Sequence, residues 1–447
     1  MGITTELVHD LYGIKTLKED DRAALRTLIL DFFAAAYAGY KQNRAFNDAV
    51  EKIVYSQGGA EEATVFLQER RYPAAKAAFM NALYGHGAEL DDGNKKAMGH
   101  IGVHVIPAAF AVAEEQGSSQ DDVLTALAIG YEAFIRLSSA AQPGMVQRGF
   151  HSTGMAGTMA CAAACARLLN LDEQGMEDAV ALATTMTGGL LSYGDSRPAI
   201  KPLNPAKAAE NGVFAAQLAR AGVRGPTESL EGPNGWFHAV TEHINEEMLK
   251  GSEDGHLLLR DCYYKLYPSC RHTHCGIEAA INLRDRVSLE EIAKVNVYIY
   301  PNAIKLAGIK YPKDQDETKF SIYYTLAVAL CSGAYGIDNM DPAGMDDQVL
   351  SLIEKIELIP DGSMEDRSKG IRGTRVEIVT KDNRVETESV LVPKGDPEKP
   401  LTRDDIFNKL RVCAKNQAQE WQLERLAKAV VNIGREARFV NPMMLLR

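Results

Sequence analysis

From the start of the chain to about residue 250, apolar positions recur every three to four residues in Ala-rich segments broken by Gly, Pro and Asp. That spacing predicts helices over residues 21–39, 73–87, 107–116, 121–140, 153–170 and 205–222, with strand signals nearly absent. In the KPLNP stretch, Asn204 is expected as an N-cap, Pro205 in the first turn and Gly222 as the C-terminal stop. Gly154, Gly157, Ala160, Cys161, Ala164 and Cys165 give the helix from 153 a small-residue face, which reads as close helix packing.

After residue 260 the pattern changes. KVNVYIY at 294–300 alternates as a strand does, and TRVEIV at 374–379 and ETESVLV at 386–392 flank a KDNR turn. Helical spacing at 276–284 and 320–332 lies among them. The expected fold is mainly α: a large all-helical domain over 1–260, and a smaller α/β lid domain over 261–400 that ends in PKGDPEKP. Helices at 402–414 and 418–433 return the chain to the helical domain, completing it with 401–447.

Composition narrows the ligand. The chain has 447 residues, 46% hydrophobic and 24% charged, enough for sizeable cores. A net charge of −11 argues against nucleic-acid and anionic-membrane partners, so an anionic ligand must meet a local basic pocket. The apolar run at 28–40 is interrupted by Asp31 and is shorter than the roughly 20 residues a bilayer requires. It reads as a buried helix. MGITTELVHDLYGIK carries no secretory pattern, and seven scattered cysteines suit reduced thiols, so a cytoplasmic location is expected.

The chain shows no Walker loop, GxGxxG, HExxH or CxxC. Its densest chemistry is KLYPSCRHTHC at 265–275, which could be a metal site, a nucleophile or a cationic lip. Alternation along so short a segment cannot easily point Cys270, His272, His274 and Cys275 at one ion, so no metal is expected. Pro268 makes the chain before it extended and places 269–273 near a helix N-terminus, where free N–H groups favour carboxylates. Lys265 and Arg271 add fixed charge; the plain alternative is solvated cations beside a buried Cys270. A Cys270 thiolate near that terminus would have a depressed pKa, a second reading.

Other boundaries carry similar groups. GFHST sets His151 before a helix, PAIKP holds Lys201 in a turn, and HGAELDD, followed by His100, adds carboxylates and imidazole. Each histidine alone reads as structural; their recurrence at element boundaries is the informative feature.

Together these segments resemble the MmgE/PrpD family, which includes 2-methylcitrate dehydratase, cis-aconitate decarboxylase and iminodisuccinate epimerase. The resemblance spans nearly the whole chain: LILDFFAAAYAG, HGAELDD with His100 and Pro107, GYEAFIRL, GFHSTGMAGTMACAAACARLLNL, AIKPLNPAKAAENGVFAAQLA, LEGPNGWF, KLYPSCRHTH and PKGDPEKPLT. It implies a helical domain with an α/β lid, a homodimer, no cofactor, and a site between the domains. The family's site positions fall on Glu89, His100, His151, Lys201 and Lys265, with Asp91, Cys270 and Arg271 as further substrate-binding candidates. Three departures stand out. The acidic motif reads ELDD, leaving Glu89 or Asp91 for the acidic position; His100 is followed by Ile101 in place of proline; and Cys270 replaces a histidine of the decarboxylase branch.

The implied reactions share one difficulty, negative charge developing on carbon beside a carboxylate, which Lys201, Lys265 and Arg271 are suited to offset. His151, starting near ~6.5, is the expected base, with Lys265 or His100 as acid and the reverse assignment open. The expected activity is a dehydratase-type lyase on a small di- or tricarboxylic acid. The alternatives are an epimerase or isomerase, a decarboxylase, and a non-catalytic carboxylate-binding protein.

Overall fold

The computed structural model describes residues 2–42, 44–192, 200–252, 254–366 and 369–446. The early apolar run forms α1 (Glu19–Lys41), buried from Leu28 to Gly39. It packs on α2 (Ala74–His86), which in turn packs on α3 (Gly102–Gln116). Helix α4 (Gln120–Ala140) is long and apolar enough to cross a membrane, but it is buried from Val123 to Ala140 inside the protein. Its Glu132–Arg136 ion pair is internal, at 3.1 Å.

Helix α5 (Ser152–Leu168) and α6 (Leu203–Arg220) pack tightly because their facing residues are small. A Cβ added at Gly212 would lie 2.3 Å from the Cys161 Cβ and 2.7 Å from the Thr158 carbonyl oxygen, so only glycine allows this approach. On the same face of α5, a Cβ at Gly157 would meet the His104 ring at 2.8 Å.

Two helix starts differ from the sequence pattern. Helix α3 begins at Gly102, well before Pro107, because the Asp92 carboxylate accepts from the Gly102 N–H at 2.9 Å and caps the earlier turn. Helix α6 begins at Leu203 with Pro202 at the cap; Asn204 lies inside the first turn, and its side chain is used elsewhere. Within the PAIKP stretch, Pro198 and Ala199 lie outside the described residues.

The later chain forms α7 (His274–Arg284), strand β1 (Ile292–Ile299), α8 (Ile322–Ser332), β2 (Ile356–Pro360), β3 (Thr374–Thr380) and β4 (Val385–Val390). The sheet order is β2-β1-β3-β4, with β1 parallel to β2 and the other pairs antiparallel. Val295 on β1 stands opposite Ile356 and Ile378, and β1 buries Val295, Val297 and Ile299. Strand β2 has no counterpart in the sequence reading.

Helices α9 (Arg403–Cys413) and α10 (Glu420–Val431) pack back on α1. One apolar core joins residues between Leu7 and Cys262 with Ile337 and others from Leu401 to Leu446; a second lies between Cys275 and Val390. The chain is 57% helical and 10% strand, mainly α.

Candidate active site

Helix α2 ends at His86, where its last carbonyls lose their helical partners. The chain then turns through Glu89, whose φ of +54° lies in the left-handed region that costs a side-chain-bearing residue about 1 kcal/mol or more. Three buried lysines from distant elements hold this turn. Lys319 Nζ donates to the Gly87 carbonyl at 2.8 Å, Lys265 to the Glu89 carbonyl at 3.0 Å, and Lys409 to the Leu90 carbonyl at 2.7 Å. Lys319 also pairs with Asp316 at 2.6 Å and Lys409 with Asp31 at 2.6 Å.

The Glu89 carboxylate is held between two ammonium groups. Lys201 binds Oε1, and Lys265 stands 3.2 Å from Oε2. Lys201 arrives from the segment before α6 and Lys265 from the connection between the two cores, so 112 and 176 residues of chain separate them from Glu89. Burial alone would raise the Glu89 carboxyl, but Lys201 and Lys265 outweigh it and hold the group well below the usual carboxylate range. The Phe320 ring lies under Lys201, 5.9 Å from its Nζ.

Three imidazoles line the other side. Asp91 Oδ2 is 2.8 Å from His86 Nδ1 and 3.2 Å from His100 Nδ1, and the rings lie 4.9 Å apart. His100 Nδ1 is also 2.8 Å from the Asp92 carbonyl oxygen. A carbonyl only accepts, so His100 carries a proton on Nδ1, and in the neutral ring the lone pair is on Nε2. His151 has the opposite arrangement. The Asn204 amide nitrogen donates to His151 Nδ1 at 3.0 Å, leaving the proton of the neutral ring on Nε2. Burial, then the Lys201 charge, lowers His151 well below its ordinary value, so it is neutral near pH 7.

The expected residues divide accordingly. Glu89, Lys201 and Lys265 meet in one cluster, with His100 and His151 beside it; Asp91 serves the histidines and leaves the lysines to Glu89. Asp92 points away, accepting from Tyr131 at 2.7 Å and from Gly102, and burial pushes it up to about 7. Cys270 sits in the field of Glu89, Lys265 and Lys201, but burial raises its thiol, which corrects the depressed thiolate inferred from its place near a helix start. Arg271 turns to Asp396 and lies over the Tyr263 ring at 5.1 Å. It is tied there and does not join the two lysines.

The four soft or imidazole groups of 270–275 diverge. His272 meets the Tyr300 hydroxyl, His274 donates to the Ser269 carbonyl at 3.3 Å, and Cys275 reaches the Arg372 carbonyl at 3.2 Å. Among the described residues, the group close enough to share a metal ion is His86, Asp91 and His100, whose ligand atoms lie within 4.8 Å. Its donor chemistry fits hydrogen bonding instead, since the proton on His100 Nδ1 occupies the nitrogen that faces Asp91.

His86 and Asn204 belong to this machinery and were not singled out from the sequence as site residues. His86 stood in the HGAELDD stretch, the one available signal; Asn204 was read as a cap. A cavity of about 520 Å³ opens nearby between the two cores, lined by Lys96, Ser139, Gln142 and Arg372 among others. None of the cluster side chains lines it, although Gln142 reaches Ser152, the neighbour of His151, at 2.9 Å.

Comparison with known proteins supplies the family. Residues 5–247 match the family model for the MmgE/PrpD N-terminal domain and 267–433 that for the MmgE/PrpD C-terminal domain. A cis-aconitate decarboxylase-like protein, oryM, of Aspergillus oryzae is 27% identical over 462 residues, covering 97% of this chain and 94% of that protein. The cis-aconitate decarboxylase of Homo sapiens is 26% identical over 450 residues, covering 97% and 92%. That of Aspergillus terreus is 27% identical over 468 residues, covering 97% and 94%.

Proposed function

The chain belongs to the MmgE/PrpD family, and from that premise we propose that it is a lyase acting on a small tricarboxylic acid through a carbanion formed beside a carboxylate. The observation that carries this reading is the meeting of Lys201 and Lys265 at the single carboxylate of Glu89. A substrate carboxylate bound there shares both ammonium groups. As electron density moves into that carboxylate, two positive charges are already in place to stabilise it. At an effective dielectric near 20, one charge at 4 Å is worth about 4 kcal/mol, or roughly a thousandfold in rate.

The relatives make decarboxylation of cis-aconitate the first reaction to assay. In that reaction the carbon–carbon bond breaks, carbon dioxide leaves, and the electron pair passes into the adjacent unsaturated carboxylate before a proton is returned to carbon. His151, with its proton on Nε2, is placed to polarise the substrate as a neutral donor.

Dehydration or epimerisation is the second reading, and two observations favour it. Cys270 supplies a neutral thiol where the decarboxylase branch has histidine. His100, oriented by Asp91 and the Asp92 carbonyl, presents a lone pair suited to removing a proton from carbon. This exchanges the roles expected from the sequence: His100 is the base and His151 the donor.

A panel of tricarboxylic and dicarboxylic acids, incubated with the protein in deuterium oxide and followed by proton NMR and mass spectrometry, tests the reading. Loss of carbon dioxide with label at carbon marks a decarboxylase, and loss of water a dehydratase. Label uptake with inverted configuration marks an epimerase. No conversion across the panel overturns the proposal.

A further inference from the structure

The two lysines and the two carboxylates around Glu89 balance before any substrate arrives. Lys201 and Lys265 contribute two positive charges, Glu89 and Asp91 two negative ones, and the imidazoles His86 and His151 are held neutral. The neighbouring ion pairs, Lys319 with Asp316 and Arg271 with Asp396, are balanced within themselves. A polycarboxylate buried here therefore adds uncompensated negative charge, which a low-dielectric site does not tolerate.

One group is built to answer it. His86 is fully buried at the end of α2, and its Nε2 has no hydrogen-bond partner. The nearest carboxylate oxygen is Glu89 Oε1 at 3.5 Å. Ionised Asp91 accepts the proton of His86 Nδ1 at 2.8 Å, so Nε2 carries a lone pair directed towards another negative group. That contact is unfavourable while Glu89 is ionised and His86 neutral, and it becomes an ion pair once Nε2 takes a proton. The groups facing His86 are Asp91 and Glu89 from the following turn, Lys201 from the segment before α6, His100 and His104 from the start of α3, and His151 from the start of α5, its ring 6.2 Å away. Lys201 opposes protonation in the empty site. A substrate carboxylate drawing Lys201 and Lys265 towards itself removes that opposition and leaves Glu89 needing a new partner.

We propose that binding of a polycarboxylate is coupled to uptake of one proton at His86, which then pairs with Glu89 while Asp91 holds its other nitrogen. The inference rests on the polycarboxylate reading of the site. His86 acts through Glu89 and is a positioning residue; it keeps Glu89 in place when the lysines turn to the substrate. Asp91 supports it by accepting the His86 Nδ1 proton at 2.8 Å, which stabilises an imidazolium there.

Isothermal titration with propane-1,2,3-tricarboxylate, which has neither hydroxyl nor double bond to react, tests this in several buffers of different ionisation enthalpy at pH 8. The dependence of binding enthalpy on buffer enthalpy counts the protons taken up, expected to be about one in the wild type and near zero in His86→Gln. Should His86→Gln fail to fold or bind, Glu89→Gln serves the same purpose, because a carboxamide creates no need for the proton; uptake near zero is expected there too. Binding without proton uptake in the wild type, or unchanged uptake in a variant that binds, overturns the inference and leaves the polycarboxylate reading intact. Absence of any binding heat in every buffer overturns that reading, and the inference with it.

Discussion

Two buried lysine clusters lie within a few residues of each other on the same turn and do opposite work. Lys409 meets Asp31 at 2.6 Å and the Leu90 carbonyl at 2.7 Å, one cation against one carboxylate in a closed arrangement that ties α9 to α1. Around Glu89, two lysines share one carboxylate, three imidazoles stand alongside, and Glu89 itself adopts a left-handed backbone. The residue types are the same. What differs is sharing: a one-to-one pair holds elements together, whereas a carboxylate shared by two lysines leaves cations able to turn to an incoming anion. Lys319, closed on Asp316 and Gly87, belongs with the first kind.

The largest effect separating the clusters is expected from Lys265→Met. Turnover should fall by about 10²–10⁴-fold, as for loss of a preorganised charge at a reacting centre, measured as kcat/KM on whichever acid the panel identifies. Lys409→Met should instead act on stability. It strands Asp31, at a cost of about 3–5 kcal/mol in urea unfolding, while the folded fraction keeps its activity. A loss of activity per folded molecule in Lys409→Met would erase the distinction.

The pH dependence of that cost sharpens it. Burial raises Asp31 to about 6 despite Lys409, so the folded protein binds this proton more tightly than the unfolded chain. The associated stability is present at low pH and lost as pH rises from about 4 through about 6. Without Lys409 the carboxyl rises further, so Lys409→Met should be more destabilising at pH 8 than at pH 5. Asp92, raised to about 7 with Tyr131 and Gly102 as partners, follows the same sign. Asp92→Asn should therefore compare more favourably with the wild type at pH 8 than at pH 5 in the same unfolding assay. The smallest effect is assigned to Cys270→Ser: a thiol kept neutral by burial is no nucleophile, and turnover should stay within about threefold of wild type. A hundredfold loss there would return Cys270 to the chemistry.

Much of this was readable from residues in order. The 3.6-residue spacing located the buried helices, and Gly157 and Cys161 announced the close face that meets His104 and Gly212. Lys201, Lys265, His100, His151 and Glu89 drew attention through short stretches at element boundaries. The rest needed three dimensions. Lys409 sits in RDDIFNKLRVC, where a lysine looks solvated; only the packing of α9 on α1 buries it against Asp31. Asn204 looks like a cap until α6 starts earlier and frees its amide for His151, and that contact reverses the tautomer on which the acid and base assignments depend. Strand β2 went unseen because IELIP is a short edge strand whose parallel pairing with β1 leaves little alternation to read.

The account stands on Lys201 and Lys265 acting together as the seat of a substrate carboxylate. A crystal structure with propane-1,2,3-tricarboxylate bound tests this most directly. The account predicts one carboxylate within hydrogen-bond distance of both Nζ atoms, in the position now shared with Glu89. Density for the ligand elsewhere, with Lys201 and Lys265 still closed on Glu89, would contradict it.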